Sequence, residues 1–146
     1  MVDIVAYRNN DRDGLFALFA EWDKDRVLDR AEFMASLDQV AADPDALILA
    51  KLDGRLLGYA QLAPGQHLGA KPYLEVVQLL VAESERGRGV GGLLMRRAEE
   101  FAAAKGLGAV ELSSRVHRSK AHVFYEGLGY RLRKVSKFYR KELAAD

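Results

Sequence analysis

The chain has 146 residues, 49% apolar and 29% charged, with a net charge of +1. That balance predicts a single folded domain over residues 1–146 with its own core. It argues against disorder and offers no broad field for nucleic acid or a membrane. The absence of cysteine excludes a disulfide framework, a thiol nucleophile and a Cys-based zinc site. His67, His117 and His122 are too few and too poorly spaced for a metal centre. No apolar run approaches the length of a membrane span and no signal-peptide pattern opens the chain, so a cytoplasmic location is expected.

In chain order, "DIVAYR" (3–8) alternates like a strand. Asp11 then stands where it would cap a helix whose apolar face is Leu15, Leu18, Phe19 and Trp22. A second helix is predicted from about Arg30 to Ala42, stopped by "DPD". The segments 46–52 and 56–63 flank Asp53-Gly54 and read as a hairpin, because Asp-Gly supports positive φ at both turn positions. "YLEVVQLLV" (73–81) is the longest apolar strand candidate and is placed centrally. A helix from Gly89 to Lys105 presents Val90, Leu93, Leu94, Ala98, Phe101 and Ala102 on one face. A strand over 109–114, a helix from Ser119 to Leu128 and two closing strands, "YRLR" and "SKFYRKEL", complete a mixed α/β layout.

The stretch "ESERGRGVGGLL" (83–94) concentrates glycine and arginine at one helix start. Gly87, Gly89 and Gly92 satisfy the G-x-G-x-x-G pattern of dinucleotide sites, while Arg86, Gly89 and Gly91 satisfy an R-x-x-G-x-G pattern. Both put an anion at the start of a helix, where the first N–H groups lack internal partners and the macrodipole is positive. Arg86 and Arg88 would add charge-assisted hydrogen bonds. The dinucleotide reading fits poorly, since "AESER" separates the glycines from the strand and Glu111 lies inside a strand instead of at its end. A glycine-rich turn with solvated arginines explains the loop in isolation.

"VAESERGRGVGGLLMRRAE" followed by "AHVFYEGLGY" (121–130) resembles the GNAT superfamily of acyl-CoA-dependent N-acyltransferases. The resemblance implies a mostly antiparallel central sheet with one splayed parallel strand pair, flanked by about four helices. It implies acetyl-CoA as acyl donor, with no metal. Its pyrophosphate would be wrapped by the backbone of Arg86, Gly87, Arg88, Gly89, Val90, Gly91 and Gly92. Its pantetheine arm would pair with backbone groups of Leu79, Leu80 and Val81. Where many members carry an Asn that contacts pantetheine, this chain has Arg118; Arg118 and Lys120 would reach the 3′-phosphate, or are simply exposed.

Acyl transfer to an amine needs a neutral attacking amine, a stabilised oxyanion and a proton for the leaving thiolate. Glu75 is the candidate base. Strict alternation puts it on an otherwise apolar or aromatic face with Tyr73, Val77, Leu79 and Val81, where burial would raise its pKa. Pointing to solvent or pairing with Lys71 is the alternative. Tyr125 is the candidate acid, a role the resemblance implies; it also fits a core position beside Ala121, Phe124 and Leu128. A backbone N–H at Leu79 or Leu80 would serve the oxyanion. Trp22, Asp23 and Asp25 would suit a cationic amine, although a solvated helix connection explains them equally. The expected activity is direct acetyl transfer to a small-molecule or peptide amine in a ternary complex. A non-catalytic acyl-CoA-binding module is the competing reading, and the late strands leave a homodimer open.

Overall fold

The computed structural model describes residues 1–22 and 24–144. The chain consists of two compact units, Met1–Leu112 and Ser113–Asp146.

The first unit holds a five-stranded sheet in the order β1-β2-β3-β4-β5, with β1 Asp3–Ala6, β2 Leu47–Leu52, β3 Arg55–Gly65, β4 Tyr73–Val81 and β5 Val110–Glu111. All neighbours are antiparallel except β4 and β5, which run parallel. Asp53 and Gly54 make the β2–β3 turn with φ of 50° and 78°, the two-residue geometry that the Asp-Gly pair selects.

Helices α1 (Arg12–Trp22) and α2 (Arg30–Ala41) cover one face of the sheet. Leu15, Leu18 and Leu37 from these helices pack with Leu47, Leu49, Tyr59 and Leu80 from the sheet. Each fully buried leucine of this kind contributes about 1.5–3 kcal/mol. Asp29 caps α2 by accepting the Ala31 N–H at 2.9 Å. Asp11 does not cap α1: its carboxylate turns back to the Arg8 N–H at 2.8 Å, closes the 3-10 turn Asn9–Asp11 and pairs with Lys51. Trp22, expected on the buried face of α1, is 48% exposed and meets Phe19 edge-on.

Helix α3 (Val90–Ala104) buries Val90, Leu94, Met95, Ala98 and Ala102, the i, i+4, i+5, i+8, i+12 stripe of an amphipathic helix. The strand expected over 109–114 shrinks to two residues.

The second unit contains α4 (Ser119–Gly127). The two strands expected after it do not form among the described residues. Leu132, Val135, Phe138 and Leu143 are exposed there. A strand needs a partner edge and a covered face as well as a pattern.

Candidate active site

The opening of the sheet begins with one extra residue in β4. Gln61 pairs with Gln78 and Leu62 with Val76, so Val77 has no partner in β3 and forms a β-bulge. Partnered residues share a face, so Glu75 and Tyr73 lie with Gln78 and Leu80 on the α1–α2 side. The expected grouping of Glu75 with Val77, Leu79 and Val81 is therefore corrected: the bulge resets the alternation half-way along the strand.

Bulges also bend their strand. Strand β5 pairs with β4 only at Leu74 and Glu75, immediately before this bend. From Val76 onward the outer edge of β4 has no strand partner among the described residues. The Ala82 N–H donates inward to the Leu57 carbonyl at 2.8 Å. By antiparallel alternation, the backbone groups of Leu80 then face β3, while those of Leu79 and Val81 face the open edge. Arg86 donates from Nε to the Val81 carbonyl oxygen at 3.3 Å.

The chain leaves β4 through a 3-10 turn, Glu83–Glu85, and reaches α3 through Arg86–Gly89. Gly87 and Gly89 have φ of 77° and 83°, left-handed values that glycine adopts without strain. The first α3 hydrogen bond runs from the Leu93 N–H to the Gly89 carbonyl at 3.1 Å. Among the described residues, no backbone N–H from Gly87 to Gly92 has a partner within the chain. A Cβ placed on Gly87, Gly89 or Gly92 would meet nothing within 4 Å. These donors thus line open space at a positive helix end, with Arg86, Gly87, Arg88 and Gly89 all exposed. That is the physics of an anion cradle.

Glu75 is half-buried and stands between Ala63 of β3 and Glu111 of β5. Loss of water, followed by the negative charges of Glu111 and Glu75, raises the pKa of the neighbouring Tyr73 phenol. A second feature lies on the same sheet face. A cavity of about 130 Å³ opens between the α1–α2 pair and the sheet, with Phe19 and Phe33 on its walls and Tyr59, Gln61 and Gln78 on its floor. Tyr59 donates from its hydroxyl to Gln78 Oε1 at 2.8 Å, and burial pushes its pKa strongly up. The lone amide Gln78 within the apolar run "YLEVVQLLV" was the available sign of this polar floor. Neither Trp22 nor Asp25 lines the cavity; Asp25 sits in an exposed turn and Asp23 lies outside the described residues.

In the second unit, Tyr125 is half-buried on α4 and packs edge-on against Phe124 and Tyr130, with ring centroids 5.0 and 6.2 Å away. Burial raises its pKa, and the positive charge of Arg118 opposes the rise. The His122 ring nitrogen Nε2 lies 2.8 Å from the Arg115 carbonyl oxygen, which ties the start of α4 to the preceding loop.

Among the described residues, no group of three or more His, Cys, Asp or Glu side chains could hold a metal ion. No helix among the described residues is long and apolar enough to cross a membrane.

Known proteins resemble this chain in sequence and fold. Aminoalkylphosphonate N-acetyltransferase of Salmonella typhimurium is 32% identical over 126 residues, covering 83% of this chain and 79% of that protein. A solved Agrobacterium tumefaciens protein classed with the acetyltransferases superposes with a TM-score of 0.84 at 27% identity, over 95% of this chain and 99% of its own. An aminoglycoside N-acetyltransferase solved in complex with CoA reaches a TM-score of 0.83 at 18% identity, over 98% and 96% of the two chains, a likeness of fold. The model of the acetyltransferase (GNAT) family matches residues 8–130, a span that holds the bulged strand, the glycine loop and α4 together, and the chain belongs to that family.

Proposed function

We propose that the protein is an N-acetyltransferase that moves the acetyl group of acetyl-CoA to a primary amine by direct attack in a ternary complex. The observation that carries this reading is the run of unpartnered backbone N–H groups from Gly87 to Gly92 at the start of α3. Such donors suit a diphosphate, and Arg86 and Arg88 add charge beside them. The open edge of β4 at Leu79 and Val81 supplies strand-like partners for the amide-bearing pantetheine arm. That arm would carry the thioester along β4 toward Glu75.

In the reaction the amine nitrogen attacks the thioester carbonyl carbon. A C–N bond forms, the C–S bond breaks, and the amine gives up one proton. Glu75 takes that proton, directly or through a water, and Tyr125 supplies one to the departing thiolate. The Tyr125 phenol carries its proton at neutral pH, as phenols do, which is the state an acid requires. The N–H of Leu79, facing the open edge, is the donor for the oxyanion, while the Leu80 N–H goes to β3. No cysteine is present, so a covalent cysteinyl intermediate is not a route.

The acceptor is a small amine bound on the α1–α2 side of the sheet. Aminoalkylphosphonates head the test panel because of the Salmonella relative. Diamines, aminoglycosides and lysine peptides complete it, assayed by release of free thiol from acetyl-CoA. Thiol release with one class of amine, lost in Glu75→Gln, is the expected result. Tight CoA binding without thiol release from any amine would replace the enzyme by an acyl-CoA-binding module.

A further inference from the structure

The turn that presents the glycine loop contains a buried charge that the chemistry above does not use. Glu85 is 6% exposed, although Glu83 and Ser84 before it and Arg86 to Gly89 after it are all exposed. Its Oε1 accepts from Arg55 Nη1 at 2.9 Å, and its Oε2 lies 3.7 Å from Arg88 Nη1. Arg55 comes from a different part of the chain, the first residue of β3 after the Asp53-Gly54 turn. A carboxylate withdrawn from water costs several kcal/mol unless it is paired, so the fold keeps this one only where Arg55 meets it.

At its other end the turn is tied to α1. The Glu83 N–H donates to Glu21 Oε1 at 2.7 Å, and Lys24 pairs with the Glu83 carboxylate at 3.2 Å. Those contacts are exposed and contribute little. The buried contact is the one that fixes the turn.

We infer that Arg55 and Glu85 form a positioning pair that holds the 83–85 turn so that the N–H groups of residues 87–92 converge on the coenzyme diphosphate. The inference rests on the acyl-CoA reading above. Neither residue touches the coenzyme. Glu85 holds the loop from beneath and keeps Arg88 on the loop side, and Arg55 neutralises the carboxylate that would otherwise repel the incoming phosphates. A simple sum of charges gives the opposite expectation for Glu85, because removing a negative charge near a polyanion strengthens binding.

The test compares acetyl-CoA with S-acetylpantetheine, a donor that has the thioester and lacks the diphosphate. Arg55→Met is expected to raise KM for acetyl-CoA about tenfold with kcat little changed, the signature of lost binding common to ground and transition states. It is expected to leave kcat/KM for S-acetylpantetheine unchanged, and Arg55→Lys is expected to restore most of the acetyl-CoA KM. Glu85→Gln, which keeps the shape and a neutral hydrogen bond, is expected to weaken CoA binding by about threefold in calorimetry. Equal losses with both donors would reduce the pair to a folding role and overturn the inference. So would tighter CoA binding by Glu85→Gln, or an unchanged acetyl-CoA KM in Arg55→Met. Wild-type protein that binds no CoA would sink the acyl-CoA reading itself, and this inference with it.

Discussion

Gly89→Ala and Gly92→Ala, identical changes three residues apart, are expected to move stability in opposite directions. At both positions a new Cβ meets nothing within 4 Å, so steric crowding is absent and the backbone alone decides. Gly89 caps α3 with φ 83° and ψ 5°. An alanine forced into that left-handed region costs about 1–2 kcal/mol. Gly92 lies within α3, where alanine restricts the unfolded chain and gains about 0.5–1 kcal/mol. The two variants therefore differ by roughly 2 kcal/mol, from a methyl group that touches nothing in either case. For a chain of this size the Gly89 variant should melt about 3–8 °C lower and the Gly92 variant about 2 °C higher. Urea denaturation monitored by circular dichroism, without coenzyme, measures both. Shifts of the same sign would refute the conformational argument, because open space at both sites leaves no other source for the difference.

Tyr125→Phe should reduce kcat by roughly ten- to a hundredfold while CoA affinity is retained, since it removes a proton and leaves the ring packing in place. Steady-state thiol release together with calorimetry reads both quantities, and an unchanged kcat would remove Tyr125 from the mechanism. Tyr59→Phe should cost about 1 kcal/mol, the value of its hydrogen bond to Gln78, as read by urea denaturation at neutral pH. The native state holds the Tyr59 proton more tightly than the unfolded chain does. Its contribution is thus complete below pH ~10 and is lost as pH rises beyond it, so the variant should show a flatter alkaline decline in stability.

Local signals carried most of the first unit. Helices α1 and α3 followed from apolar spacing, α2 was bounded by the "DPD" stop, and the β2–β3 turn followed from two residues, because each depends on contacts within a few positions. The failures share a dependence on partners distant in sequence. The bulge at Val77 exists only in the register of β4 against β3, so strict alternation grouped Glu75 with the wrong residues. The closing strands do not form among the described residues, where Leu132 and Phe138 stand exposed. Trp22 completed a helical face on paper, yet it lies at the last residue of α1, beyond the layer that Leu15 and Leu18 cover. The conformation of the glycine loop and the start of α3 were legible, as both reside in consecutive backbone groups. The Glu85–Arg55 contact was not, being made across thirty residues.

Val77 also sets what this family member gives up for its cleft. Strand β5 runs parallel to β4 and pairs with it only at Leu74 and Glu75, two residues before the supernumerary peptide unit. Deleting that one residue would carry strict alternation through the whole of β4 and straighten the strand; under the proposed function, it would take away the bend that keeps an edge free for the acyl carrier.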